Sequence, residues 1–233
     1  MHRVPATWPR RHHGKVQRLS ENLWLVRGPV PGMLIQRQMV IARDESGRLL
    51  LHSALALNPF GMAELEAFGT PTWLVVPNGY HRLDAPAYKK RYPGITVVAP
   101  RGSVDRVSEA VTVDLTYDEF PASAAIKLES APWLGAQEGV VHVRSSDGAT
   151  LVFNDLLWTL PHGSWSRAFY RCLRQGPQVP FLAKRMFVSD ARALRAWLLR
   201  LARTEQLIRL VPGHGAPIHS KASDVLLRVA ASV

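Results

Sequence analysis

Trp73-Leu74-Val75-Val76-Pro77-Asn78-Gly79-Tyr80-His81-Arg82-Leu83-Asp84 is the stretch whose reading decides the fold. Its first four residues are apolar and half of them β-branched, which predicts a short parallel strand buried on both faces. Pro77, Asn78 and Gly79 end that strand, and a loop carrying Tyr80, His81, Arg82 and Asp84 follows. Polar groups just past the carboxyl end of a buried strand are where layered α/β proteins place their chemistry.

Toward the N-terminus, Met62, Leu65 and Phe68 recur at helical spacing and predict a helix over 61–68, stopped by Gly69. Before it, Met33–Ala42 and Arg48–Leu51 read as two strands turning at Asp44-Glu45-Ser46-Gly47, and Asn22–Val26 as an alternating strand. Residues 1–17, with Pro5, Pro9, Arg10, Arg11, His12 and His13 in no periodic pattern, read as a flexible basic arm ahead of a single domain over 18–233.

Toward the C-terminus, Pro86 suits the first turn of a helix over Ala85–Arg91, and Ile95–Ala99 is a strand. Ile126–Leu128, Gly139–Arg144 and Thr150–Phe153 are three more, the last two joined through Asp147-Gly148, a strong hairpin signal. Residues 156–188 read as a Trp-, Pro- and Arg-rich insertion. In it, a helix places Trp165, Phe169, Cys172 and Leu173 on one face and Arg167, Arg171 and Arg174 off it. Ser189 or Asp190 caps the next helix, in which Leu194, Trp197, Leu198 and Leu201 form a stripe. A strand over Gln206–Val211, a tight Pro212-Gly213-His214-Gly215 turn and a helix over Ser223–Ala231 complete the chain. Each half thus runs antiparallel strands, a helix, and a strand ending in a polar loop. Burying both apolar faces predicts an α/β, four-layer αββα sandwich of two mixed β-sheets with helices on the outer faces.

Composition narrows the function. The 233 residues are 47% hydrophobic and 20% charged, ordinary for a globular protein, and no apolar run reaches the ~18 residues that span a bilayer. One cysteine, Cys172, excludes an internal disulfide and a cysteine zinc cluster, so the expected compartment is a cytoplasmic one. The net charge is +11, and residues 156–200 hold eight Arg or Lys against only Asp190. Such a face attracts anions, but no nucleic-acid-binding motif accompanies it, so the expected partner is a small molecule rather than nucleic acid. The amphipathic helix of the insertion could cap a pocket or pair two copies as a homodimer.

Three strand ends carry metal-ligand residue types: His81, Asp155 after Leu151-Val152-Phe153-Asn154, and His214. His52 ends a fourth strand, Leu49-Leu50-Leu51. The Pro-Gly-His-Gly turn is the most specific of these, since its glycines permit a backbone path that brings the imidazole inward.

In the order and spacing of these features the chain resembles the metallo-β-lactamase fold superfamily, and within it a divergent, metal-dependent-hydrolase-like branch. Leu151–Asp155 and Leu210–Pro217 are the best individual matches. That family's loop after the first buried strand reads Thr-His-x-His-x-Asp-His. Here Asn78 replaces the Thr, Gly79 the first His, Leu83 the Asp and Asp84 the last His, while His81 is kept. The family's middle histidine, expected near residues 130–135, is absent. Asp155 matches the aspartate that bridges two metals, and His214 matches the final histidine ligand.

The resemblance therefore implies at most one divalent ion, zinc or else iron or manganese, held by His81, Asp155 and His214. Asn78 and His52 stand as supporting groups or an extra ligand, and Asp84 as another candidate ligand. It implies hydrolysis of an ester, thioester, lactone or amide, with Asp84 taking over the orientation of water and Tyr80, or Arg82, donating to an oxyanion. A metal-free relative that binds without catalysing is the other reading, and nucleic-acid processing a third.

Overall fold

Trp73 lies inside a seven-stranded sheet of the computed structural model, which describes residues 8–9, 11–33, 35–160 and 176–233. The strands lie side by side in chain order: β1 Gln17–Ser20, β2 Leu23–Pro29, β3 Gln36–Arg43, β4 Arg48–His52, β5 Thr70–Val75, β6 Thr96–Ala99 and β7 Leu115–Thr116. The first four pair antiparallel; β4 to β7 pair parallel. The parallel part needs crossovers, which α1 Pro59–Phe68, α2 Ala85–Arg91 and α3 Val104–Ser108 help to supply. Local chemistry sets the boundaries. Asn58 caps α1 by accepting from the Gly61 N–H, and the Asp44 carboxylate takes the Ser46 and Arg48 N–H groups to close the first hairpin.

A second sheet orders β13 Leu207–Val211, β10 Gly148–Val152, β9 Gly139–Ser145 and β8 Ile126–Ser130, with β13 parallel to β10. Side-chain alternation then sorts the core into three slabs. Leu25, Val40, Leu50 and Trp73 from the first sheet meet Leu128, Val141, Val152 and Val211 from the second. The opposite face of the first sheet, including Ile41, Leu51, Leu74 and Val97, packs on Leu65, Tyr88 and Val107 of the helices. The opposite face of the second, including Val140, Leu151 and Leu210, packs on α4 Phe181–Phe187, α5 Ala191–Leu201 and α6 Ala222–Ala231. These are the four expected layers. The Leu194, Trp197, Leu198 and Leu201 stripe is buried, and Asp190 is its cap.

Two expectations need correction. A third, three-stranded sheet exists, ordered β12 Gly176–Gln178, β11 Trp158–Leu160 and β14 His214–Gly215. Within residues 156–188, Leu156, Leu157, Ala183 and Phe187 are core residues, while the expected helix at Trp165–Leu173 lies outside the described residues. The N-terminal segment is no frayed arm where it is described. The Trp8 indole N–H donates to the Leu57 carbonyl at 2.7 Å and the ring meets Tyr88 edge-on, while the Arg11 amide bonds the Ala56 carbonyl. Arg11 also pairs at 3.0 Å with Asp84, which Arg37 grips from its other side. Among the described residues no helix is long and apolar enough to cross a membrane.

β4 ends on His52, which is buried and whose Nδ1 has no hydrogen-bond partner among the described residues. Burial, with His81 nearby, lowers its pKa to about 3. The folded-state value lies below the ordinary 6.5, so acid favours the unfolded chain. Stability attributable to His52 is therefore whole above about pH 6.5 and falls by up to about 1.4 kcal/mol per pH unit on acidification toward about 3. His52→Leu is expected to flatten that slope in urea melts run with chelator; an unchanged slope would show that His52 is not the titrating group. Asp84→Asn leaves Arg37 buried without its counter-charge and is expected to cost about 3–5 kcal/mol. A loss below about 1 kcal/mol, the range of an exposed pair, would contradict the buried clamp.

Candidate metal centre

Two pairs of parallel strands end at one place. In the first sheet β4 and β5 run in register, His52 opposite Val75, so Ser53 and the Asn78–His81 loop emerge together. In the second, β10 and β13 run with Val152 opposite Val211, so Asp155 and His214 emerge together. The two sheets face each other, and the four ends converge. Glycine is required for the last step. A Cβ on Gly213 would stand 2.5 Å from the Asn154 carbonyl oxygen, and Gly215, at φ +101°, would set one 1.6 Å from the Thr159 carbonyl oxygen. This close backbone approach gives the Pro-Gly-His-Gly turn its sequence. Gln38 pins it from the other sheet, donating to the Pro212 and Gly215 carbonyls at 2.8 and 2.7 Å.

The result brings His81, Asp155 and His214 together, all buried, with one ligand atom from each within 4.8 Å of the other two. Asp155 Oδ1 lies 3.0 Å from His214 Nε2 and 3.4 Å from His81 Nε2. Each imidazole is anchored through its other nitrogen. His214 Nδ1 meets the Gln36 carbonyl oxygen at 2.8 Å, and His81 Nδ1 meets the Ser53 hydroxyl at 2.8 Å. Ser53 itself sits at φ +52°, a left-handed conformation that a non-glycine residue seldom adopts and that recurs at functional sites.

These contacts test whether a cation suits the site. A carbonyl oxygen only accepts, so His214 carries its proton on Nδ1. In the neutral ring Nε2 is then a lone pair, and it points at the lone pairs of Asp155 Oδ1. Two acceptors 3.0 Å apart need a positive centre between them, either a second proton or a metal ion. Two imidazoles with anchored Nδ1 and free Nε2, together with one carboxylate, are a ligand set suited to zinc, and three protein ligands with an open position is the catalytic form. The electrostatics agree. Burial works to raise Asp155, but His81 and His214 outweigh it and hold the carboxyl far below its usual range. Burial lowers His81 despite Asp155, favouring the neutral, ligand form.

Asn78 is fully buried and joins the parts. Its NH2 donates to Asp155 Oδ2 at 2.8 Å and to Glu138, and its carbonyl oxygen takes the Tyr80 and His81 N–H groups at 2.8 and 3.2 Å. Glu138, Ser53 and Gln38 were not legible as site residues. Glu138 sits in Gly135-Ala136-Gln137-Glu138-Gly139, where a lone acid ahead of an apolar strand gives no signal. Burial and then the charge of Asp155 push Glu138 well above the usual carboxyl range, favouring the protonated acid.

Other expected site residues lie elsewhere. Asp84 does not join the ligand group, because both of its oxygens are held, by Arg11 on one and by Arg37 and the Ala56 N–H on the other. His52 is buried close enough to His81 for that ring's charge to help lower its pKa, but it is not among the grouped ligands. Tyr80 is half exposed, its ring under the Arg106 guanidinium and edge-on to Phe187. Arg82 pairs with Glu109 at 2.7 Å. Ser53, His81 and Asp155 stand in series as in a serine hydrolase, but the Ser53 side chain is fully buried and out of a substrate's reach.

By sequence, the chain matches no protein-family model and no curated protein. By structure it is similar to a metallo-β-lactamase from Pontibacter korlensis (TM-score 0.62, 13% identity, covering 94% of this chain and 99% of that one). It is similar also to the metallo-β-lactamase DIM-1 exposed to ceftazidime (TM-score 0.61, 13% identity, 97% and 99% covered). A third is the metallo-β-lactamase FIM-1 from Pseudomonas aeruginosa in its mono-zinc form (TM-score 0.60, 12% identity, 97% and 98% covered). At such identity what is shared along the chain is the path of the backbone: this protein has the metallo-β-lactamase fold, in a divergent form.

Proposed function

We propose that the protein is a metal-dependent hydrolase that works with a single divalent ion, zinc being the best match to its ligands, on an ester, thioester, lactone or amide. The observation that carries this reading is the convergence of His81 Nε2, His214 Nε2 and one oxygen of Asp155, each anchored from behind. The mono-zinc form of the similar FIM-1 agrees with a one-ion site on this backbone.

A bound divalent ion supplies Lewis acidity, which makes water nucleophilic near neutral pH and polarises a scissile carbonyl. The chain supplies the rest. His81 and His214 offer neutral nitrogens, Asp155 offers the charge, and Gln36 and Ser53 hold the rings in the orientation that ligation needs. Tyr80, 49% exposed beside the His81 turn, is the proposed hydrogen-bond donor to a substrate oxygen. Asp84 has no part in the chemistry; its charge is spent on Arg11 and Arg37.

Protein purified without chelator is expected to carry about one divalent ion per chain, read by elemental analysis. His81→Ala, His214→Ala and Asp155→Ala should each abolish that content, whereas Asp84→Asn, where folded, should keep it. Metal-free wild-type protein whose melting temperature does not move on adding Zn²⁺, Mn²⁺ or Fe²⁺ would defeat the proposal and leave a ligand-binding protein. On a panel of p-nitrophenyl ester, thioester, lactone and amide substrates, Tyr80→Phe is expected to lower kcat by about 10²-fold with metal content unchanged; full activity would remove Tyr80 from the mechanism.

A further inference from the structure

The loop between β8 and β9, where the resemblance places a histidine, delivers a carboxyl instead. Glu138 is wholly buried, and its Oε1 accepts from the Asn78 amide and, at 3.3 Å, from the Asn154 amide. Asn78 uses its other N–H on Asp155 Oδ2 and its oxygen on the backbone of Tyr80 and His81. A carboxamide has two donors on one side and an acceptor on the other. With carboxyl groups on one side and N–H groups on the other, only one orientation of Asn78 satisfies all four partners. Reversed, its oxygen would face two carboxyl oxygens and its NH2 would face two N–H groups.

We propose that Glu138 is a positioning residue of the metal centre: by locking the Asn78 amide it fixes, through one side chain, both the Asp155 carboxylate and the turn that carries His81. The inference rests on the metal-site reading above. Two of the three ligands hang on this single amide, and Glu138 is the partner that does not itself ligate, since it stands outside the ligand group. Its location also accounts for a carboxyl buried without a counter-ion. Glu138 Oε2 and Asn154 Oδ1 are both buried without partners among the described residues. A glutamine at 138 retains the accepting oxygen toward Asn78 and puts an NH2 in place of the unpartnered Oε2.

The test is zinc affinity, measured by competition with a chromophoric chelator, alongside the melting temperature of the metal-free protein. Glu138→Leu is expected to weaken zinc 10- to 100-fold, the effect found for partners that orient metal ligands, and Glu138→Gln to restore it to within about threefold of wild type. A role only in folding would instead lower the metal-free melting temperature in proportion and leave affinity unchanged in the folded fraction. If Glu138→Leu does not fold, Glu138→Asp serves: one methylene shorter, its oxygen cannot hold Asn78 in place, and the same loss is expected. Wild-type affinity in Glu138→Leu, or in Glu138→Asp where that is used, would overturn the proposal while leaving the metal site standing. Wild-type protein that takes up no zinc would overturn both.

Discussion

One oxygen of Asp155 lies between two imidazole nitrogens, and the surrounding structure is arranged to keep it there. A buried carboxylate is costly to desolvate and persists only with compensating partners. Here the compensation comes from His81, His214 and Asn78, each held in turn by a backbone or hydroxyl group that leaves it little freedom. The His214 Nε2 lone pair facing Asp155 Oδ1 makes the arrangement complete only with a positive centre in it. That requirement, more than the presence of any one ligand type, is what makes this a candidate cation site.

The architecture supplies the site cheaply. Parallel strand pairs in two facing sheets must end side by side, so four loops reach one region whatever they carry. Backbone constraints, such as the approach of Gly213 to Asn154 and of Gly215 to Thr159, act on the main chain whatever the neighbouring side chains are. This is how 12–13% identity coexists with similarity over more than nine-tenths of the chain. In the first loop Gly79 and Asp84 stand where the resemblance places ligand histidines and Asn78 where it places a threonine, and amide and carboxyl hydrogen bonds tie Asn78 to Asp155 and Glu138.

Asp84 and Asp155 show why residue type does not settle a role. Both are acids just past a buried strand or its loop, and both are buried. Asp84 meets two guanidinium groups, one of them brought by the N-terminal segment, and is neutralised as a structural clamp. Asp155 meets two imidazoles, which offer it nitrogen atoms rather than the fixed charge of a guanidinium. The partners decide, and the partners come from 73 and 47 residues away in one case and from 74 and 59 in the other.

The layered fold was legible because its signals are local. Period-two alternation, helical stripes such as Leu194–Leu201, a capping Asp190 and an Asp-Gly hairpin each follow from near neighbours. His81, Asp155 and His214 were legible for the same reason, each standing at a strand end. What the tertiary structure alone decided was pairing: the third sheet around His214, the packing of Trp8 and Arg11, the removal of Asp84, and the recruitment of Glu138, Ser53 and Gln38. None of these has a sequence signature, because a buried polar side chain is assigned by the groups that fold against it, and those groups are distant in the chain. The sequence determined where the strands end; the packing of two sheets decided which side chains meet there.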